Sequence, residues 1–220
     1  LFNDYYVSAT RFDGGTIIRP LLSYPGMKDV AVEAITVSKE HGVPGIRVGG
    51  VVGQPDIINA VRLWAAAKID IVPGMSQMIA TRAFNETDVS VVANRVIHEV
   101  QEEVFPRLRE MNWPMIEPKA GLDMVVSVPP GFIRNDISDS SLLAAFTILR
   151  RYGVALCPCT VYGPDGKYYL RIVLKQRAGK VPGALDLLRE HGFNWHTEAP
   201  IEEDEMYLSG LLSHLDLTRL

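Results

Sequence analysis

The sequence has only two cysteines in 220 residues, no histidine cluster, no basic block and no long apolar run. Each absence excludes something. Cys157 and Cys159 cannot build a disulfide framework, and a C-x-C pair is not a recognisable zinc ligand set. His41, His98, His191, His196 and His214 lack metal-ligand spacing, and His98-Glu99 lacks the second histidine of a metalloprotease helix, so no metal is expected. With 22 Lys+Arg against 26 Asp+Glu the net charge is −4, and without a cationic block neither nucleic acid nor an anionic membrane is expected as a partner. No apolar run approaches the roughly 18 residues that span a bilayer, and no basic-then-apolar leader opens the chain. A cytoplasmic protein in a reducing compartment is the expectation.

What is present fits a folded protein. Hydrophobic residues make up 47% and charged residues 22%, enough for one large domain or two modest ones. The chain opens on Leu1 rather than Met, and Leu1-Phe2-Asn3-Asp4 reads as the tail of a strand already under way, so a piece of a longer protein is expected.

The first third alternates strand-like and helix-like segments. Asp29 to Ser38 places Val and Ile among small residues, as a buried or half-buried strand does, and Arg47 to Gly53 is another apolar, β-branched run bounded by glycines. Gln54-Pro55-Asp56 opens a helix, with Pro55 in the first turn and Ile57, Ile58, Val61 and Trp64 as its apolar face. A second helix is predicted over Met75 to Phe84. Strands alternating with helices give an α/β layer structure.

From Val89 the texture changes. Val89, Val92, Ala93, Val96, Ile97, Val100 and Val104 keep helical spacing and predict an amphipathic, core-facing helix up to Pro106. Beyond it come a strand near Asp123–Val128, a helix near Ser141–Tyr152 capped by Gly153, a strand at Tyr168–Leu174 and a last helix begun by Pro182. These read as a smaller α+β domain. Near the end, the acidic run Glu202 to Glu205 leads into Leu208, Leu211, Leu212 and Leu215, the pattern of a solvated helix start packed on its domain.

The chemistry concentrates in Thr36-Val37-Ser38-Lys39-Glu40-His41-Gly42-Val43-Pro44-Gly45-Ile46-Arg47-Val48-Gly49. An amine, two hydroxyls and a guanidinium suit a phosphorylated aldehyde: lysine for the imine, hydroxyls and arginine for the phosphate. Arginine serves better than lysine because its planar fork makes two parallel hydrogen bonds and stays charged. A solvated loop carries the same residue types, and spacing alone leaves both readings open.

This stretch resembles the lysine signature of class I/II aminotransferases, pyridoxal-phosphate enzymes of fold type I. The match includes the small residue before the lysine, Gly42 and Gly45, and the R-x-G of Arg47-Val48-Gly49. The family usually has serine or glycine where Thr36 stands, and threonine keeps the hydroxyl. PGMKDVAVEAITVSKEHGVPGIRVGGVVGQPDII is similar to the family's strand, lysine, arginine and following helix, and YGVALCPCTVYGPDGKYYLRIVL to its C-terminal segment. The resemblance covers residues 1–190. It implies that residues 1–86 are the end of the large cofactor domain, with a mainly parallel sheet, and 87–220 the small C-terminal domain.

The resemblance also implies roles. Lys39 would form the Schiff base with pyridoxal 5'-phosphate and then move the proton at the substrate α-carbon. Thr36, Ser38 and Arg47 would hold the phosphate, and Asp4 would pair with the pyridine nitrogen. Arg171 would grip the substrate α-carboxylate. An alternating strand turns Arg171 with Tyr169 and Val173, opposite Tyr168, Leu170 and Ile172. Where the family has a tyrosine three residues after the aspartate, Val7 stands here, with Tyr6 beside it. That departure bears on the reaction type. Cys157 and Cys159 take places where the family usually has small residues.

The function implied is transfer of an amino group between an amino acid and a 2-oxo acid, in a homodimer whose first half lies upstream. The 220 residues alone are expected to bind cofactor poorly. Alternatives are a sibling pyridoxal-phosphate lyase or cyclase, and an aminotransferase-like domain of a transcription regulator.

Overall fold

The computed structural model describes residues 2–5, 12, 19–39, 41–69, 71–86, 88–133, 138–198 and 209–210. Chain contacts divide it into two compact units, Leu1–Ile97 with Lys119–Gly121, and His98–Pro118 with Leu122–Leu220.

The first unit holds a three-stranded sheet of β1 (Phe2–Tyr5), β2 (Val32–Thr36) and β3 (Gly49–Gly53), in that order. The strand tail expected at the start of the chain is β1. It pairs in parallel with β2, setting Asp4 beside Ala34. β2 and β3 are antiparallel, which departs from the mainly parallel sheet expected. The chain between them doubles back as a loop, and a returning strand pairs antiparallel without a crossover helix. β2 is shorter than predicted because residues Met27–Val30 form a helical turn, α1. Glu33 is buried on β2, and its carboxylate accepts hydrogen bonds from Leu21 N at 2.6 Å and Leu22 N at 3.3 Å. Gly53 has φ +138°, and a Cβ there would lie 2.3 Å from Ala31 O, so no larger residue fits.

The helices α2 (Pro55–Lys68) and α3 (Gly74–Glu86) follow. Gln54 caps α2, its side-chain oxygen accepting from Ile57 N at 2.8 Å, with Pro55 at the start as expected. The apolar face predicted for α2 is not buried in this chain: Ile57, Val61 and Trp64 are exposed, Trp64 by 60%, and Ile58 is half-exposed. Periodicity identified the face, but it cannot say what covers it.

The long helix is three segments. α4 (Val89–Glu99) passes into a π-helical stretch, Val100–Val104, and then α5 (Phe105–Glu110). It therefore runs through Pro106 rather than ending there. Proline lacks the N–H that an i−4 carbonyl needs, and a π turn absorbs such a break while keeping the helix continuous. The register slip keeps Val100, Val104, Phe105 and Leu108 all buried.

The second unit carries a four-stranded antiparallel sheet, ordered β4 (Met115–Ile116), β5 (Asp123–Ser127), β7 (Tyr169–Val173) and β6 (Cys157–Pro158). Its helices are α6 (Ser140–Tyr152) and α7 (Lys180–Glu190). Met124, Val126, Leu170 and Ile172 are buried with Leu143, Ile148, Leu188 and Phe193. Trp113 lies beside Phe193 and donates its indole N–H to Ser127 O at 2.7 Å, so the ring is buried without an unsatisfied donor. Gly153 ends α6 at φ +68°, the left-handed cap expected. The acidic run and its leucines lie outside the described residues. No described helix is long and apolar enough to cross a membrane.

Candidate active site

Most of the candidate residues sit on one loop of the first unit. Strand β2 ends at Thr36, and Val37 is buried against Ala80 and Ala83 of α3, with Val43, Ile46 and Val48 packed around it. This apolar anchor fixes the loop that bears Ser38, Lys39 and Arg47. Thr36 Oγ1 donates to Val48 O at 2.8 Å, across the mouth of the loop. The same oxygen lies 2.9 Å from Ser38 Oγ and accepts from Ser38 N at 3.1 Å. Gly49 faces Thr36 across the strands, where a Cβ would meet Ile35 O at 3.0 Å. One threonine hydroxyl thus holds both ends of the loop together.

Arg47 has φ +54°, a left-handed conformation that costs a residue with a Cβ about 1–2 kcal/mol. Its side chain is exposed and donates to Pro44 O at 2.8 Å, leaving other guanidinium N–H groups for a ligand. Strain of this kind held at a surface arginine is a pointer to function. Lys39 is half-buried. Asp4 lies on β1 beside the strand that leads into this loop. Val7 and Tyr6 lie outside the described residues.

Arg171 belongs to the second unit. On β7, Tyr169, Arg171 and Val173 share the half-exposed face and Leu170 and Ile172 the core, as alternation required. Arg171 lies opposite Val125 of β5 and Cys157 of β6. Its Nη1 is 3.8 Å from Asp123 Oδ2, too long for a hydrogen bond. Its Cζ lies 5.3 Å from the centre of the Tyr162 ring, and its Nε is buried with no hydrogen-bond partner among the described residues. The Nε N–H so placed lacks, among the described residues, the acceptor that burial calls for. Beside it opens a concavity of about 1190 Å³, bordered by Cys157, Arg171, Val173, Arg177 and Lys180. The described residues that line it include no carboxylate.

The turn that carries Tyr162, Cys159–Tyr162, is pinned from two sides. Thr160 donates to Asp139 Oδ2 at 2.7 Å, while Asp139 Oδ1 caps α6 through Leu142 N at 3.0 Å. Gly166 passes so close that a Cβ there would lie 2.0 Å from Cys159 O. Cys157 is half-exposed, its Sγ 3.8 Å from Tyr162 Oη. Cys159 is buried, and burial pushes its thiol pKa up. Sequence reasoning passed over Tyr162, Asp123 and Asp139. The first lies in the same C-terminal motif as Arg171, but only the fold sets its ring beside the guanidinium. Among the described residues no cluster of three or more His, Cys, Asp and Glu could hold a metal.

Comparison with known proteins places the chain in a family. LL-diaminopimelate aminotransferase 2 of Trichormus variabilis is 26% identical over 201 residues, 89% of this chain and 48% of that protein. L-glutamine--4-(methylsulfanyl)-2-oxobutanoate aminotransferase of Bacillus subtilis is 26% identical over 175 residues, 78% of this chain and 42% of that protein. A solved aminotransferase structure from Staphylococcus aureus matches the fold with a TM-score of 0.74 at 20% identity, covering 88% of this chain and 50% of that one. The chain spans about half the length of the curated relatives it matches. The family model for "Aminotransferase class I and II" matches residues 16–183, which take in the Thr36–Gly49 loop and Arg171 alike, and the chain belongs to that family.

Proposed function

We propose that this chain is the C-terminal part of a pyridoxal-phosphate-dependent aminotransferase that moves an amino group between an amino acid and a 2-oxo acid. The observation that carries the reading is the Thr36–Gly49 loop, clamped by the Thr36–Val48 hydrogen bond, which bears a lysine, two hydroxyls and a strained arginine. The donor set fits a phosphate monoester. Arg47 would donate to the phosphate, and so would Ser38 once its hydroxyl turns from Thr36 Oγ1, while Thr36, its own proton taken by Val48 O, would fix their spacing. Asp4 would pair with the pyridine nitrogen. When bound, pyridoxal phosphate supplies an electron-accepting ring that draws charge from the substrate α-carbon.

Lys39 would supply the amine that holds the cofactor at its aldehyde and, when free, would hold and move the proton at the substrate α-carbon. Arg171, whose Nε lacks an acceptor, takes the α-carboxylate and orients the substrate. In this reading residues 1–86 complete the large cofactor domain and 87–220 form the small one. The whole protein is a cytoplasmic homodimer.

An amino-transfer assay on the whole protein with pyridoxal phosphate tests this. Lys39→Ala is expected to lower kcat by at least about 10³-fold, and Arg171→Leu to raise KM for both amino acid and 2-oxo acid. Undiminished turnover in Lys39→Ala would contradict the proposal.

A further inference from the structure

We infer that Tyr162 is a positioning residue for Arg171: its ring holds the guanidinium flat and turned toward an incoming carboxylate. The inference rests on the reading of Arg171 as the carboxylate-binding group. The Arg171 side chain is 31% exposed, and its contacts within the described structure do not fix its direction strongly. Asp123, on the neighbouring strand, reaches Nη1 only at 3.8 Å. Nε makes no hydrogen bond. Cys157 lies directly across the ladder, and its thiol is a weak hydrogen-bonding group. What remains is the Tyr162 ring, 5.3 Å from Cζ, within the range of a cation–π contact.

The ring is in turn held by the fold rather than by chance. Tyr162 is itself 62% exposed, so burial does not explain its place. Its turn is fixed at Thr160 by Asp139 and Ser141 and at Cys159 by the close passage of Gly166. Its hydroxyl meets Cys157 Sγ at 3.8 Å. A flat ring on one side and a distant carboxylate on another leave the guanidinium fork open, the state that a bidentate carboxylate completes. The ring does this work and the hydroxyl does not, so phenylalanine would serve as well.

The test maps modification of Arg171 by phenylglyoxal, an arginine-selective reagent, in the whole protein with and without pyruvate as the carboxylate probe. Peptide masses give the rate at Arg171. Arg107, bound to Asp186 in the same unit, reports whether each variant remains folded. Pyruvate is expected to protect Arg171 equally in wild type and Tyr162→Phe. In Tyr162→Leu and Tyr162→Gln, half-protection is expected to need about fivefold more pyruvate, with the rate at Arg107 unchanged. Equal protection in all four proteins would overturn the positioning role while leaving Arg171 as the carboxylate site. No protection in any of them would overturn the carboxylate reading, and this inference with it.

Discussion

Single atoms decide how the loop after β2 works. The Thr36 hydroxyl spans to Val48 O at 2.8 Å, and losing one such bond costs about 1 kcal/mol net. Thr36→Val keeps the shape and removes the bond, so pyridoxal phosphate affinity, read by absorbance titration of the whole protein, is expected to fall about fivefold. Thr36→Ser is expected to restore it. The two cysteines offer a second check. Half-exposed Cys157 is expected to react with iodoacetamide well before Cys159, whose buried thiol is pushed up in pKa; mass mapping of the two residues at pH 8 shows which is labelled first. At this scale the residue types of the proposed site were legible, because Lys39, Arg47 and Arg171 sit in recognisable strings. Their partners were not. Nothing in the sequence near Thr36 names Val48 as its acceptor, and nothing near Arg171 distinguishes Tyr162 from Tyr169.

Elements were legible where local rules govern them. The Gln54-Pro55 start of α2, the Gly153 cap and the alternation along β7 all follow from chemistry within a few residues. Strand direction did not follow: β3 runs against β2 because the loop between them doubles back without a crossover helix, and periodicity along either strand carries no sign of that. Pro106 misled for a related reason. A proline ends a helix when the freed carbonyl finds no other arrangement, and here the π stretch Val100–Val104 supplies one. Asp139 shows how one side chain joins elements, capping α6 and holding the turn before β7. Asp139→Ala is expected to destabilise the second unit by about 2 kcal/mol, as a fall in the denaturant midpoint. A loss of under about 0.5 kcal/mol would show that the cap and turn are independent of it.

Among the described residues, the second unit has the larger buried core, while the first leaves Leu63, Trp64, Ile71, Met75 and Met78 exposed. In the second unit, Asp186 of α7 accepts from Arg107 of α5 at 3.0 Å and pairs with Arg189. The hydrogen bond from Arg107 holds the Asp186 carboxyl below its ordinary value and raises the guanidinium. The depressed native pKa sets the sign: the pair's contribution is complete above the ordinary aspartate value near 3.8 and is lost as pH falls through the lower native one. Asp186→Asn is therefore expected to cost about 1 kcal/mol at pH 7 and less at pH 2, by denaturant unfolding at both pH values. An equal loss at both would show that packing, not charge, is what Asp186 contributes.

The central claim is that Lys39 carries the cofactor, and borohydride reduction of the whole protein in pyridoxal phosphate tests it most directly. Peptide mapping is expected to find the phosphopyridoxyl mass on the peptide holding Lys39, at near one per chain, and to lose it in Lys39→Ala. Label scattered over the other lysines, or unchanged in that variant, would contradict the account.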